Sequence, residues 1–177
     1  MITLQRQISL VIYFKAYFMK LFYIGLGANI GERIQNIKNA IALIEKRVGN
    51  IIASSSMHES AADGFISDNR FINAVVCVGS DMMPHDVLHA LQQIEQDMGC
   101  YAHRNSDGSY CDRSLDLDIV ACDDFVCNDE TLILPHPRMH LREFVLAPLC
   151  EIAPHWEHPI FHRTAAQLLE ELKDELQ

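Results

Sequence analysis

Ser114-Leu115-Asp116-Leu117-Asp118-Ile119-Val120 alternates apolar and acidic residues with a period of two. That period belongs to a β-strand, in which Leu115, Leu117 and Ile119 share one face and Asp116 and Asp118 share the other. Two carboxylates one pleat apart repel each other, and aspartate is disfavoured in strands. Two readings remain open from the pattern alone. Paired oxygens at this spacing suit a hard divalent cation such as Mg²⁺, and an exposed edge strand carrying solubilising acids has the same pattern. Arg113, just before the acids, adds a partner for phosphate without deciding between them.

Working outward, the flanking segments supply the other strands and the helices to cover them. Leu21–Leu26 is a short apolar run leading into the turn chemistry of Gly25–Gly31. Ile34, Ile37, Ile41, Ile44 and Val48 follow at helical spacing, and Gly49-Asn50 reads as the helix end. Ile51–His58 reads as one strand, Glu59–Arg70 as a polar loop, and Phe71–Val78 as an apolar strand. Pro84 opens a helix carrying Val87, Leu88, Leu91, Ile94 and Met98. Gly99–Asp112 is a long polar loop. After the acidic strand, Asp123-Asp124 suggests a turn, and Leu132–Leu134 a short strand cut by Pro135 and Pro137. Thr164-x-x-Gln167 is a capping box opening a last helix with Leu168, Leu169, Leu172 and Leu176. The order β-α-β-β-α-β predicts an α+β fold: a ferredoxin-like split βαβ sheet with covering helices, three layers α/β/α.

Size and charge fit one such domain. The chain has 177 residues, 49% of them hydrophobic and 21% charged, which is globular rather than disordered usage. A net charge of −10 argues against a nucleic-acid binder held by a basic patch. No apolar run has the length of a membrane span. The six cysteines form no C-x-x-C pair, so reduced thiols and a cytoplasmic location are expected. Residues 1–18 carry no signal-peptide pattern. They are expected to be a disordered or upstream-start extension, with residues 19–177 forming the single domain.

Three other segments invite chemistry. Gly27-Ala28-Asn29-Ile30-Gly31 lacks both glycine-rich nucleotide fingerprints, so a turn into a helix is expected there rather than a phosphate cradle. Pro135-His136-Pro137-Arg138-Met139-His140-Leu141-Arg142-Glu143-Phe144 is rigid, cationic and aromatic; a polyphosphate loop and an ordinary charged surface loop are equally compatible with it. His155, His158 and His162 lie among prolines without a completing ligand, so structural or solvent histidines are expected instead of zinc.

Together these segments resemble the 6-hydroxymethyl-7,8-dihydropterin pyrophosphokinase family of folate biosynthesis. The likeness runs from about Lys20 to Leu176, through Tyr23–Gly31, Phe71-Ile72-Asn73-Ala74, Ile94-Glu95, Arg113–Ile119 and Pro135–Met139 with Arg142, Phe144 and Val145. The resemblance implies transfer of the β,γ-pyrophosphate of ATP to the pterin's hydroxymethyl oxygen, releasing AMP. It implies that Asp116 and Asp118 hold two Mg²⁺ ions and, with Arg113, form the catalytic set. It also implies ATP contacts from Gln92, Glu95, Arg113, His136 and Arg142, with Ile119 lining the adenine site. Asn73 would bind the pterin's amide edge, Phe71 and Phe144 would sandwich its ring, and Ser60 and Asp63 would belong to the pterin loop. Tyr110, standing where tryptophan is usual in the family, joins the substrate set. The partners implied are small molecules, ATP and a hydroxymethyl-dihydropterin, on a monomer or homodimer, with neither nucleic acid nor membrane.

The chain also departs from the family pattern. Cys100 and Ala102 stand where arginines are usual, Asp112 replaces a proline, and the pterin loop reads Glu59-Ser60-Ala61-Ala62-Asp63-Gly64. These departures motivate a competing reading: a catalytically weak or non-catalytic paralogue that binds a pterin or nucleotide and has an altered substrate.

Overall fold

The computed structural model describes residues 19–100 and 111–175. The expectations for residues 1–18, Tyr110 and Leu176 lie outside them. Five strands form one antiparallel sheet: β1 (Lys20–Ala28), β2 (Asn50–Ser54), β3 (His58–Ser60), β4 (Phe71–Ser80) and β5 (Asp116–Cys122). Their order is β2-β4-β1-β5, with β3 also pairing β4, which is the ferredoxin-like arrangement the element order predicts. A hairpin of β6 (Cys127–Asn128) and β7 (Ile133–Leu134) follows the sheet.

Helices cover both faces. On one, α1 (Arg33–Arg47) and α2 (Pro84–Asp97) bury Ile37, Ala40, Ile44, Val87, Leu91 and Ile94 against alternate residues of the sheet such as Phe22, Ile24, Val76, Leu117 and Ile119. On the other, α3 (Glu143–Ile152) and α4 (Ala165–Glu175) pack Leu146, Leu149, Leu168 and Leu172 on Tyr23, Val75 and Val120. The capping box at α4 forms in both directions, Thr164 Oγ1 accepting from Gln167 N at 3.2 Å and Gln167 Oε1 accepting from Thr164 N at 2.9 Å.

Several elements differ from the sequence expectation, each for a local reason. Strand β1 continues through Ala28, with Gly25 and Gly27 paired on both sides, so these two glycines belong to the strand and the turn falls at Gly31, where φ is +68°. The strand expected over Ile51–His58 divides in two. Its Ser55 binds β4 through both its backbone and side chain (Ser55 N to Val75 O and Val75 N to Ser55 Oγ, both 3.0 Å), so β2 and β3 occupy one edge of β4 in succession. Gly49 is not a left-handed cap. A Cβ there would collide with the Gly79 carbonyl, so glycine is required by the close approach of the helix end to β4. Ile34, expected on the buried face of α1, is 51% exposed in the first turn. Helix α3, which carries Pro148 inside it, is an element the sequence reading does not include.

Candidate active site

The sheet positions the site through its glycines. Across β1, Gly27 is flanked by Asn73 and Asp116, and Gly25 by Val75 and Asp118. The central strand therefore presents bare backbone between a polar amide on one side and two carboxylates on the other. Above this floor lies a cavity open to solvent and lined by Ser60, Asp63, Phe65, Phe71, Asn73 and Phe144 among others. A second cleft is lined by Leu88, Gln92, Glu95, Cys100 and Arg138. Arg113, Asp116, Asp118, His136 and Arg142 line both. The acid pair and three nitrogen-bearing side chains thus form the boundary between two chambers.

Four of the five boundary residues, Arg113, Asp116, His136 and Arg142, are tied by hydrogen bonds. Arg113 donates to Asp116 Oδ2 at 2.6 Å. Burial would lower the Arg113 guanidinium's pKa, but the Asp116 carboxylate outweighs it and holds the group above its ordinary value. The guanidinium lies 5.2 Å from the centre of the Phe71 ring, and that of Arg142 lies 5.5 Å from the Phe144 ring. Two aromatic walls of the first cavity therefore each carry a cation that reaches the second. Arg142 Nε also donates to Asp63 Oδ2 at 3.1 Å, so the pterin-loop aspartate of the sequence reading is an anchor for Arg142.

Asp118 is exposed through the cavity mouth, while protein atoms crowd the base of its carboxyl. Burial and the neighbouring Asp116 push its carboxyl up to about 6, while Arg142 draws it back. Between the two aspartates, the backbone N–H of Leu117 donates to the buried Glu95 at 2.7 Å, which ties β5 to α2. His136 is pushed down to about 4 by burial and by Arg142 and Arg138. Its Nδ1 accepts from Arg138 N at 3.2 Å, so the neutral ring keeps Nε2–H as its donor.

Asn73 donates Nδ2 to Ser60 Oγ at 3.0 Å, which leaves Oδ1 on the Gly27 side, 3.4 Å from where a Cβ there would sit. Ile119 is the site residue that does not join this group: its side chain is 4% exposed and packed in the core on the opposite face of β5. Cys100, where an arginine is usual in the family, is buried with its thiol donating to Leu115 O at 3.0 Å. The His155–His162 segment contributes a core histidine. His158 is 3% exposed, stacked on Phe161, and accepts at Nδ1 from Ile160 N and Phe161 N.

Sequence reasoning passed over two sets of residues that shape the site. Gly25 and Gly27 lie two apart in a strand, and that spacing was the available signal. Asn29 and Asp112 are the other set. Asp112 accepts from Asn29 Nδ2, Ser67 Oγ and Asn69 Nδ2, each at 2.6 Å, while Asn29 Oδ1 accepts from Arg113 N at 2.7 Å. These bonds hold its carboxyl below the usual range, the Ser67 hydroxyl most strongly. No local pattern announces a hub joining residues this far apart in the chain.

The acid pair is an all-oxygen donor set with a solvent-open approach, which fits a hard divalent cation and not a soft one. The fold and site together define a ferredoxin-like α+β protein in which an acid pair bounds two chambers, one walled by aromatic rings and one edged by cations. Comparison with known proteins gives the family. The model of 7,8-dihydro-6-hydroxymethylpterin-pyrophosphokinase (HPPK) matches residues 23–154, and the chain belongs to that family. A 2-amino-4-hydroxy-6-hydroxymethyldihydropteridine pyrophosphokinase of Porphyromonas gingivalis is 37% identical over 142 residues, covering 80% of this chain and 95% of the relative. The Bacillus subtilis protein of the same name is 37% identical over 131 residues, covering 73% and 76%. Among solved structures, a Plasmodium falciparum HPPK-DHPS chain superposes with a TM-score of 0.74 at 15% identity, over 89% of this chain and 45% of that one. This chain spans less than half of that fused protein, and the likeness to it is one of fold.

Proposed function

We propose that the chain transfers the β,γ-pyrophosphate of ATP to the hydroxymethyl oxygen of 6-hydroxymethyl-7,8-dihydropterin, releasing AMP, in folate biosynthesis. The observation that carries this reading is the acid pair at the boundary of two chambers, where a group passing from one ligand to the other must cross. The pterin takes the cavity over Gly25 and Gly27, with Asn73 on its amide edge and Phe71 and Phe144 against its ring. ATP takes the cleft beside Gln92 and Glu95. Asp116 and Asp118 hold Mg²⁺, two ions by likeness to the family, which when bound neutralises triphosphate charge.

The chain's own groups do the rest. Arg113 and Arg142 bind the phosphates in transit and stabilise the charge that develops on them. His136 donates Nε2–H to a phosphate oxygen and, with its pKa near 4, stays neutral while doing so. The walls orient the hydroxymethyl oxygen toward the phosphorus, and positioning of this kind supplies a large part of the rate in such transfers. Among the described residues, no helix is long and apolar enough to cross a membrane, and we place the enzyme in the cytoplasm as a monomer or homodimer. Among the described residues, no two cysteines are joined in a disulfide. The family match favours this active reading over the non-catalytic paralogue.

The test is pterin-dependent AMP release by Asp116→Ala and Asp118→Ala. Both variants are expected to lose Mg²⁺-dependent turnover while remaining folded. Turnover retained in both would refute the metal assignment.

A further inference from the structure

Away from the active site, three chemically different donors converge. His85 lies in the first turn of α2, Cys127 on β6, and Asp129 in the turn between β6 and β7. His85 and Glu95 are ten residues apart on one helix, which places the cluster roughly 15 Å along α2 from the acidic boundary. His85 Nε2 is 2.9 Å from Asp129 Oδ2, and Cys127 Sγ is 3.3 Å from the same oxygen. All three donor atoms lie within 4.8 Å of one another.

The carboxylate is fixed in this orientation from the other side. Asp129 Oδ1 accepts from Thr131 N and Thr131 Oγ1, both at 2.9 Å, and from Leu132 N at 2.8 Å. One oxygen is consumed by the turn, and the other faces an imidazole and a sulfur. A tetrahedral Zn²⁺ with ordinary bond lengths spaces such N, O and S donors by about 3.3–3.6 Å. The observed triangle reaches that shape by small side-chain rotations, at two exposed positions and the half-buried Cys127. Cys127 donates its thiol proton to Asp129 Oδ2, and a bound cation would take that proton's place between sulfur and oxygen; sulfur and imidazole donors exclude Mg²⁺ as the occupant.

We propose that His85, Cys127 and Asp129 form a binding site for a borderline-soft divalent cation of the Zn²⁺ class, with a water in the fourth position. On binding, Cys127 gives its thiol proton to solvent and coordinates as thiolate, while His85 coordinates through neutral Nε2 and Asp129 through Oδ2. The site ties the β6–β7 hairpin to the start of α2. Gln92 and Glu95 follow on that helix, and His136 comes two residues after β7, so the cation joins the supports of two walls of the nucleotide cleft.

The test is Co²⁺ titration of the full chain in excess Mg²⁺, which occupies the oxygen-only site. One equivalent is expected to bind with a thiolate-to-cobalt charge-transfer band and visible bands of tetrahedral intensity, both bleached by Zn²⁺. Cys127→Ser should abolish the charge-transfer band, His85→Ala should weaken binding by about tenfold or more, and Thr131→Val should weaken it by about tenfold through the freed carboxylate. Cys150→Ser, at a thiol on α3, should leave the titration unchanged. Absence of the band in the unaltered protein, or a band that survives Cys127→Ser, overturns the proposal.

Discussion

Replacing Gly27 with alanine separates binding from folding. A Cβ at this position would lie 3.4 Å from Asn73 Oδ1, 3.5 Å from Phe71 Cδ1 and 3.7 Å from Asp116 Cβ, all ordinary contacts. The strand backbone there is not left-handed, so alanine fits the fold and reduces the entropy of the unfolded chain. Stability should change by less than about 1 kcal/mol, or at most about 4 °C in melting temperature. The ligand chamber has no such tolerance. The methyl stands about 1.5 Å above the floor and lifts a flat ring away from Asn73. Two hydrogen bonds lost at Asn73 Oδ1, at about 1 kcal/mol each, with that oxygen left unpaired at a further 1–2 kcal/mol or so, amount to about 3–4 kcal/mol. At about 1.4 kcal/mol per decade, pterin affinity should fall by two to three orders of magnitude. Gly27 does not line the nucleotide cleft, so affinity for a non-hydrolysable ATP analogue should stay within about twofold. Calorimetric titration of both ligands, beside a melting curve, reads all three quantities. Unchanged pterin affinity in a folded Gly27→Ala protein would refute the placement of the ring over β1.

Other outcomes follow from neighbouring residues. Arg113→Ala should lower kcat by about 10²–10³ with a much smaller effect on pterin affinity, since its proposed partner is phosphate; equal losses in a steady-state and titration comparison would contradict that role. Asp112→Ala removes the acceptor shared by Asn29, Ser67 and Asn69. It should cost about 1–2 kcal/mol in urea unfolding, and an unchanged midpoint would show the hub to be dispensable. With metal chelated, the protein should lose stability as pH rises from about 4 to about 6. The unfolded chain's aspartate ionises across that window before Asp118, whose folded carboxyl titrates near 6. Asp118→Asn should flatten this slope, and a slope unchanged by the substitution would remove Asp118 as its source.

Much of the fold was legible because periodicity reports burial. Val87, Leu91 and Ile94, and the alternation through Leu117 and Ile119, mark faces that must be covered wherever the chain goes. The acid pair was legible for the same reason: once Leu117 faces the core, Asp116 and Asp118 must face the other way. What remained hidden depends on approach between distant segments. Gly49 looked like a helix cap because sequence cannot reveal the Gly79 carbonyl passing beside it. Gly25 and Gly27 looked like a turn because glycine punctuates loops more often than it floors a cavity. The split between β2 and β3 depends on Ser55 gripping Val75 on another strand. Ile119 shows the opposite limit: family likeness placed it at a ligand, whereas its side chain packs into the core.

The central claim is a transfer between two chambers across the acidic boundary. AMP release from ATP and Mg²⁺, measured with and without 6-hydroxymethyl-7,8-dihydropterin, tests it most directly. AMP that appears only when the pterin is present, in step with its consumption, is the predicted result. No AMP from a folded, pterin-binding protein would contradict the account and leave a binding paralogue in its place.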